Sequence, residues 1–200
     1  MKQTVITLDL EGVLVPEIWI AVADKVGIEA LRRTTRDEPD YDVLMRDRLQ
    51  ILAENNLKLS DIQSVIGTLN PLPGAKEFLD SLRSQTQVLI LSDTFLQFAN
   101  PLMCQLDWPT LFCNHLDIED DRVVSYQLRQ VDQKRQSVLA LKNLNYTVIS
   151  AGDSYNDTTM LAEADHGFLF RAPGNIKEEF PQFPAFDEYA DLIAEIEMLL

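Results

Sequence analysis

The sequence predicts an α/β fold, a three-layer sandwich around a mostly parallel central sheet, with a helical cap inserted after the first strand. Three observations carry this expectation. Short apolar runs at residues 5–8, 87–91 and 146–151 each lead into an acidic or hydroxyl-bearing cluster, as buried parallel strands do where they emerge from a sheet. Segments with helical spacing of apolar residues alternate with these runs, which is the pattern of crossover connections. The alternation lapses between Pro16 and Pro71, where nothing resembles a strand.

In chain order, Val5-Ile6-Thr7-Leu8 forms the first strand, Asp9 emerges at its carboxyl end, and Glu11 and Gly12 follow. Residues 16–27 carry Ile18, Trp19, Val22 and Val26 at helical spacing, with Pro16 suited to a first turn and Gly27 to an end. The polar residues 32–39 read as a mobile loop or frayed helix. Asp40 can cap a helix running to about Asn55, with Val43, Leu44, Arg48, Ile51 and Leu52 near one face. Ser60 is placed to cap a shorter helix through Gly67, and Pro71-Leu72-Pro73-Gly74 closes the insertion as a stiff boundary. The chain thus divides into a core of residues 1–15 and 72–200 and a cap of residues 16–71.

The α/β pattern resumes with a helix over 75–83 and a strand over 87–91 that ends at Ser92-Asp93-Thr94. A helix from Phe95 to about Leu106 follows, then a short strand over 110–113. Residues 115–118 and 123–128 flank the acidic turn Glu119-Asp120-Asp121-Arg122 as a hairpin. A helix over 132–144 leads into the strand over 146–151, which ends in Gly152-Asp153-Ser154-Tyr155-Asn156-Asp157. After a helix to Ala164, residues 167–170 form a last strand and 187–200 a terminal helix.

Acids outnumber bases by 32 to 17, a formal net charge of −15. That disfavours nucleic acid and anionic membrane as partners, because phosphate-rich surfaces are repelled. A small anionic substrate stays admissible where Lys, Arg or a metal ion is local. Cys104 and Cys113 lack a C-x-x-C spacing and read as reduced interior residues, with no disulfide or zinc site expected. His115 and His166 read as structural, and Trp19 and Trp108 as packing residues. The chain begins directly on the first strand, with no signal peptide or membrane-spanning run, so a cytoplasmic location is expected. The oligomeric state is left open, a homodimer included.

Three strand ends carry the chemistry: Asp9-x-Glu11, Ser92-Asp93-Thr94 and Asp153-x-x-x-Asp157. Parallel strands of one sheet bring such ends to one edge, where ligands of open α/β sheets gather. Carboxylates converging there resist joint ionisation unless a cation intervenes. Oxygen ligands of this kind suit magnesium, which shares its coordination with substrate phosphate. A carboxylate beside the metal can attack a phosphoryl group and form an aspartyl phosphate. Ser92 and an ammonium would then hold the phosphate oxygens, Lys134 being the first candidate and its neighbour Arg135 the second.

Asp9-Leu10-Glu11-Gly12-Val13, Leu91-Ser92-Asp93, Lys134 and Gly152-Asp153-Ser154-Tyr155-Asn156-Asp157 together resemble the four ordered motifs of the haloacid dehalogenase-like phosphohydrolases, across residues 5–161. The insertion after the first motif resembles the cap of the phosphoserine phosphatase branch. The wording from Leu10 to Trp19 and from Gly152 to Leu161 is nearest to its small bacterial bifunctional subfamily, which pairs phosphoserine phosphatase with phosphoserine:homoserine phosphotransferase activity.

The resemblance implies an enzyme that uses magnesium and takes phosphoserine, with water or homoserine as acceptor. Asp9 would be the nucleophile. Glu11 would be the general acid and base, its carbonyl also binding the metal. Asp153 would complete the metal site, with Asp157 as a direct ligand or a support. Ser92, Asp93 and Lys134 would hold the phosphate, and Asn156 would contact substrate. Arg48 matches the arginine that takes the substrate carboxylate, and Glu17 the acid that receives its ammonium.

Two departures stand out: Glu11 where the family usually has Asp, and Asp93-Thr94 where phosphoserine phosphatases have small glycines. Blander readings accompany each assignment. Arg48 could make a surface ion pair, Glu17 could favour a helix start, and Asp157 could cap the helix after it. The rival functions are a phosphatase of another small phosphate ester, a receiver-like phospho-accepting module, and a silent phospho-amino-acid-binding protein.

Overall fold

The computed structural model describes residues 2–34, 37–38 and 40–200. Thr35, Arg36 and Pro39, within the polar stretch expected as a loop, lie outside the described residues.

A seven-stranded sheet runs in the order β4-β3-β2-β1-β5-β6-β7, with β1 (Thr4–Leu8), β2 (Gln87–Phe95), β3 (Thr110–Glu119), β4 (Arg122–Gln127), β5 (Thr147–Gly152), β6 (His166–Phe170) and β7 (Ala185–Phe186). All neighbours pair parallel except β3 and β4. The sheet separates two apolar layers because successive side chains on a strand face opposite ways. Ile6 and Leu8 of β1 join Phe78, Phe98 and Leu192 on one face, while Val5 joins Val138, Met160 and Ile176 on the other. This is the expected three-layer α/β sandwich.

Between β1 and the next helix of the sheet layer, α4 (Ala75–Gln85), come α1 (Ile18–Val26), a 3₁₀ turn (Glu29–Arg32), α2 (Tyr41–Glu54) and α3 (Leu59–Ile66). Asp40 caps α2 by accepting from the N–H groups of Asp42 and Val43, as its residue type suits. Gly27 ends α1 at a φ of 71°, the left-handed conformation that glycine adopts without steric cost. The buried side chains of these inserted helices, among them Ile18, Met45, Leu52 and Ile62, belong to the same apolar cluster as Ile6 and Leu8. They pack onto one face of the sheet without a core of their own.

Several local expectations need correction. Ser60 does not cap α3; Asp61 does, by accepting from the Lys58 N–H. Ser60 instead donates its hydroxyl to Asp121 at 2.6 Å, while Leu59 N bonds the Asp121 carbonyl at 2.8 Å. The β3–β4 hairpin turn is thereby fastened to the inserted helices. The two strands expected over 110–113 and 115–118 are one strand, β3, which pairs parallel with β2 at its start and antiparallel with β4 at its end. Polar residues at the change of partner, Asn114 and His115, disguised that continuity. Trp108 is 63% exposed, since Asp107 and Trp108 both take positive φ in the turn after α5 (Leu96–Gln105). Cys104 is exposed and Cys113 half-buried, so neither is an interior residue; both are free thiols. Four small elements lie outside the sequence pattern, the 3₁₀ turns Glu29–Arg32 and Tyr155–Asp157, α8 (Gly174–Glu179) and β7, because each is too short to show a period. The remaining helices are α6 (Gln133–Asn143), α7 (Thr158–Glu163) and α9 (Tyr189–Glu197). Among the described residues no helix is long and apolar enough to cross a membrane.

Candidate active site

The three central strands β2, β1 and β5 are neighbours and parallel, so their carboxyl ends meet. Asp9 follows β1 directly and its N–H bonds the Ala151 carbonyl of β5 at 3.0 Å. Its Oδ1 accepts from the Leu10 N–H at 2.7 Å. Asp153 and Asp157, from the turn after β5, bring carboxylate oxygens within 4.8 Å of one another and of Asp9, and all three residues are buried. Glycine makes this approach possible at two points. A Cβ on Gly12 would stand 2.5 Å from Cγ of Asp153, and one on Gly152 would stand 2.3 Å from Cγ of Asp157. Gly12 also has a φ of 76°, so it serves both the turn and the close contact.

Lys134, at the second position of α6, carries the central positive charge. Its ammonium lies 2.7 Å from Asp157 Oδ1, 2.9 Å from Asp9 Oδ1 and 3.8 Å from Asp93 Oδ2. Burial works against that charge, but Asp157, Asp9 and Asp93 outweigh it and hold the amine protonated well beyond its ordinary range. Arg135, the other basic residue at this helix start, turns away to Glu163 at 3.0 Å. For Asp9 the balance falls the other way. Burial and then Asp157 push its carboxyl well above the usual range, Lys134 opposes them, and Asp153 adds to the rise. Asp157 is fully engaged by the protein: its Oδ2 accepts from the N–H groups of Asp153 and Ser154, both at 3.0 Å.

The second cluster lies within β2, not beyond it as expected. The pairing of β2 with β3 shifts between Leu91 and Phe95, and an irregularity of that kind re-aims the side chains between its ends. Ser92 and Thr94 are buried, and the Thr94 N–H donates to Ser92 Oγ at 3.2 Å. Asp93 accepts from Gln133 at 3.0 Å and from Asn156 at 2.8 Å. Burial raises the Asp93 carboxyl, yet Lys134, Gln133 and Asn156 together more than offset it and leave it below its ordinary value.

Glu11 stands apart from the three clustered carboxylates. Its Oε2 accepts from the N–H of Ile18, the first residue of α1, at 2.8 Å. Burial, and next the charge of Glu17, raise it to about 7. On the opposite side, Arg48 of α2 is buried, with Nη2 donating to the Arg33 carbonyl at 2.7 Å and its guanidinium 4.4 Å above the Trp19 ring. Its Nε has no hydrogen-bond partner among the described residues, and its burial sets aside the surface ion pair. Burial lowers the guanidinium to about 10, against the pull of Tyr41, Glu11 and Glu17.

One cavity of about 200 Å³ joins these groups: Asp9, Glu11, Glu17, Arg48, Ser92, Asp93, Lys134, Asp153 and Asn156 all line it. Asp157 lies behind the wall. Sequence reasoning placed Thr94 in the second cluster without a role and missed Tyr41 and Gln133, which both bond Asp93. A hydroxyl or amide alone carries little signal, although Gln133 sits beside Lys134 and Thr94 within the second motif. Trp19, read as packing, packs on Phe98 with ring centroids 5.2 Å apart and also carries Arg48.

A profile of haloacid dehalogenase-like hydrolases matches residues 4–165. The chain is 67% identical over 189 residues to the phosphoserine phosphatase ThrH of Pseudomonas aeruginosa, covering 94% of this chain and 92% of that one. It is also 67% identical to a phosphoserine phosphatase of Pseudomonas syringae pv. tomato, covering 94% of this chain and 80% of the relative. A solved phospho-aspartyl intermediate analogue of phosphoserine phosphatase shares the fold with a TM-score of 0.75 at 20% identity, over 90% of this chain and 91% of the other. A substrate-bound phosphoserine phosphatase complex superposes with a TM-score of 0.75 at 18% identity, over 94% and 95%. With the motif residues gathered on one sheet edge and the profile spanning most of the chain, this protein belongs to the haloacid dehalogenase-like hydrolase family.

Proposed function

We propose that the chain is a magnesium-dependent phosphoserine phosphatase that works through a phosphorylated Asp9 and can pass the phosphoryl group to water or to homoserine. The observation that carries the substrate choice is Arg48. A buried guanidinium with an unpaired Nε lines the same cavity as Asp9, Ser92 and Lys134. An unmet buried donor is costly, and a substrate carboxylate would satisfy it with a charge-assisted bond. Glu17, on the same cavity, suits an ammonium. A phosphorylated amino acid offers phosphate, carboxylate and ammonium together, and the names of the two Pseudomonas relatives agree with that choice.

In this reading Asp9 attacks phosphorus, the P–O bond to serine breaks, and the leaving oxygen takes its proton from Glu11. Ser92, Asp93 and Lys134 hold the phosphoryl oxygens, and Asn156 steadies Asp93 and meets substrate. The acceptor hydroxyl then gives its proton to Glu11 as its oxygen displaces Asp9. Residues 16–71 form the cap over a core of residues 1–15 and 72–200, and limit the entry of water.

The donor set fits a hard divalent cation. Three buried carboxylates converge beside one ammonium that pairs with Asp9 and Asp157, and burial first and Asp157 next raise the Asp9 carboxyl. Asp9 and Asp153, with the Glu11 carbonyl, would hold magnesium. Asp157 would steady them from behind, both its oxygens being taken by protein donors. When bound, the ion supplies neutralisation of charge on the phosphoryl oxygens.

The test incubates the protein with phosphoserine and magnesium, with and without homoserine, measuring serine, phosphate and phosphohomoserine. Serine release that requires magnesium and is lost in a folded Asp9→Asn variant supports the reading. Normal turnover by Asp9→Asn would sink the mechanism, and no release from phosphoserine would sink the substrate choice. A receiver-like module needs neither Glu11 nor the inserted helices.

A further inference from the structure

The register of β2 with β1 ends at Leu8–Ile90, and its register with β3 steps from Leu91–Phe112 to Phe95–Asn114. Ser92, Asp93 and Thr94 lie in that step, where side chains take over from the sheet ladder. A backbone carbonyl withdrawn from water needs a donor wherever the ladder is interrupted. The Ser92 carbonyl accepts from Nε2 of Gln133 at 2.6 Å, and the Asp93 carbonyl from Nδ2 of Asn114 at 3.0 Å. Gln133 is the first residue of α6, next to Lys134, and is buried. Its Nε2 also donates to Oδ1 of Asp93 at 3.0 Å, while its Oε1 accepts from Nε of Arg129 at 3.1 Å. The ring closes through Arg129, whose backbone N–H donates to Oδ1 of Asn114 at 3.0 Å. The whole Gln133 amide is thus engaged, and turning it over would set its oxygen against two acceptors. We propose that Gln133 is a positioning residue for the phosphoryl group: its amide stands in for the interrupted ladder and fixes where Ser92 and Asp93 meet the phosphoryl oxygens.

This rests on the reading of the site given above, in which Ser92 and Asp93 hold phosphate. Both line the cavity that contains Asp9 and Lys134. Asn156 donates to the other carboxylate oxygen of Asp93, Oδ2, at 2.8 Å, so each oxygen has an amide partner. Gln133 grips differently from Asn156. It ties the main chain at Ser92 to the side chain of Asp93, so the two cannot shift separately. Gln133 itself faces the adjoining cavity and acts on the phosphoryl group only through these two residues. The groups suited to the amino-acid part of a substrate, Glu17 and Arg48, make no contact in this ring. Loss of the amide therefore acts on phosphate itself and on any phosphate ester alike, because a small misplacement of a holding group is enough to weaken its effect.

The experiment titrates inorganic phosphate calorimetrically in the presence of magnesium, and measures kcat/KM for phosphoserine and phosphoethanolamine, in wild type, Gln133→Leu and Gln133→Glu. Gln133→Leu occupies similar space without hydrogen bonds. It should weaken phosphate binding about tenfold, the value of one hydrogen bond to a charged group, and lower kcat/KM by a similar factor on both esters. Gln133→Glu keeps an acceptor for Arg129 but has no amide donors, so it should restore neither quantity. A residue that only packs would change the folded fraction and leave the phosphate dissociation constant of the folded protein at its wild-type value. That result overturns the proposal, and so does a loss confined to phosphoserine. Should neither variant fold, Arg129→Met decides, since Arg129 is the exposed member of the ring. Phosphate binding weakened about threefold, as for one neutral hydrogen bond, supports the proposal, and unchanged affinity overturns it. Wild-type protein that binds phosphate but releases no serine refutes the substrate reading alone, and the phosphate titration still judges Gln133. Wild-type protein that binds no phosphate refutes the phosphoryl site, and the proposal with it.

Discussion

The Lys134 ammonium lies 2.9 Å from Oδ1 of Asp9 with both groups buried, and Asp157 completes the triad on the far side at 2.7 Å. A single cation thus balances the proposed nucleophile and the carboxylate that steadies the turn after β5. Breaking a buried pair leaves an uncompensated charge. Lys134→Met should lower stability by about 3–5 kcal/mol in metal-free protein and cut serine release by about a hundredfold or more. Denaturant titration and steady-state assay check the two effects separately. Arg135→Met, facing Glu163 instead, should change neither by much.

Gly12 touches Asp153 so closely that any side chain must displace the carboxylate. Gly12→Ala should therefore weaken magnesium binding by about tenfold or more, while the positive φ adds roughly 1 kcal/mol of backbone strain. Calorimetric titration of magnesium measures the first, and thermal melts with and without the ion measure both. Wild-type protein should melt higher with magnesium. Asp153→Asn should lose that increment.

Much of this architecture was legible because hydrophobic runs ending in Asp9, Ser92 and Gly152-Asp153 define strands whose ends must coincide in a parallel sheet. What remained hidden depends on register and partner exchange. The shift between Leu91 and Phe95 keeps Ser92-Asp93-Thr94 inside β2, and no local pattern announces a bulge. Asn156 and Asp93 are 63 positions apart in the chain, so their hydrogen bond follows from the meeting of strand ends and not from either motif read alone. Ser60 likewise looked like a cap because capping is a local property, whereas its partner Asp121 comes from a distant hairpin.

Arg48 meets the Arg33 carbonyl, the Met45 sulfur and the Trp19 ring, while its Nε has no hydrogen-bond partner among the described residues. Arg48→Ala should raise KM for phosphoserine by about tenfold to a hundredfold, the range for a lost charge-assisted bond. The same change should have little effect on phosphoethanolamine, which lacks the carboxylate. Arg48→Lys should not rescue, since an ammonium cannot reproduce the planar fork or its stacking on Trp19. Equal losses on both substrates would place Arg48 in packing alone.

Glu11 gives the pH dependence of stability its sign. Its folded value, about 7, lies above the ordinary 4.5 of a free glutamate, with burial the first cause and Glu17 the second. Between those two values the folded chain holds a proton that the unfolded chain has released, so its contribution to stability falls as pH rises through that window. Below about 4.5 the contribution is fully present, and above about 7 it is gone. Glu11→Gln keeps an acceptor for the Ile18 N–H and removes the charge. Metal-free Glu11→Gln should therefore match wild type near pH 4.5 and exceed it at pH 8, by on the order of 3 kcal/mol. Serine release should fall in the same variant, because an amide neither gives nor takes the proton. Denaturant titrations across pH 4.5–8 check the first statement. A constant difference between the variants over that range would mean that Glu11 does not titrate on its own within the folded site.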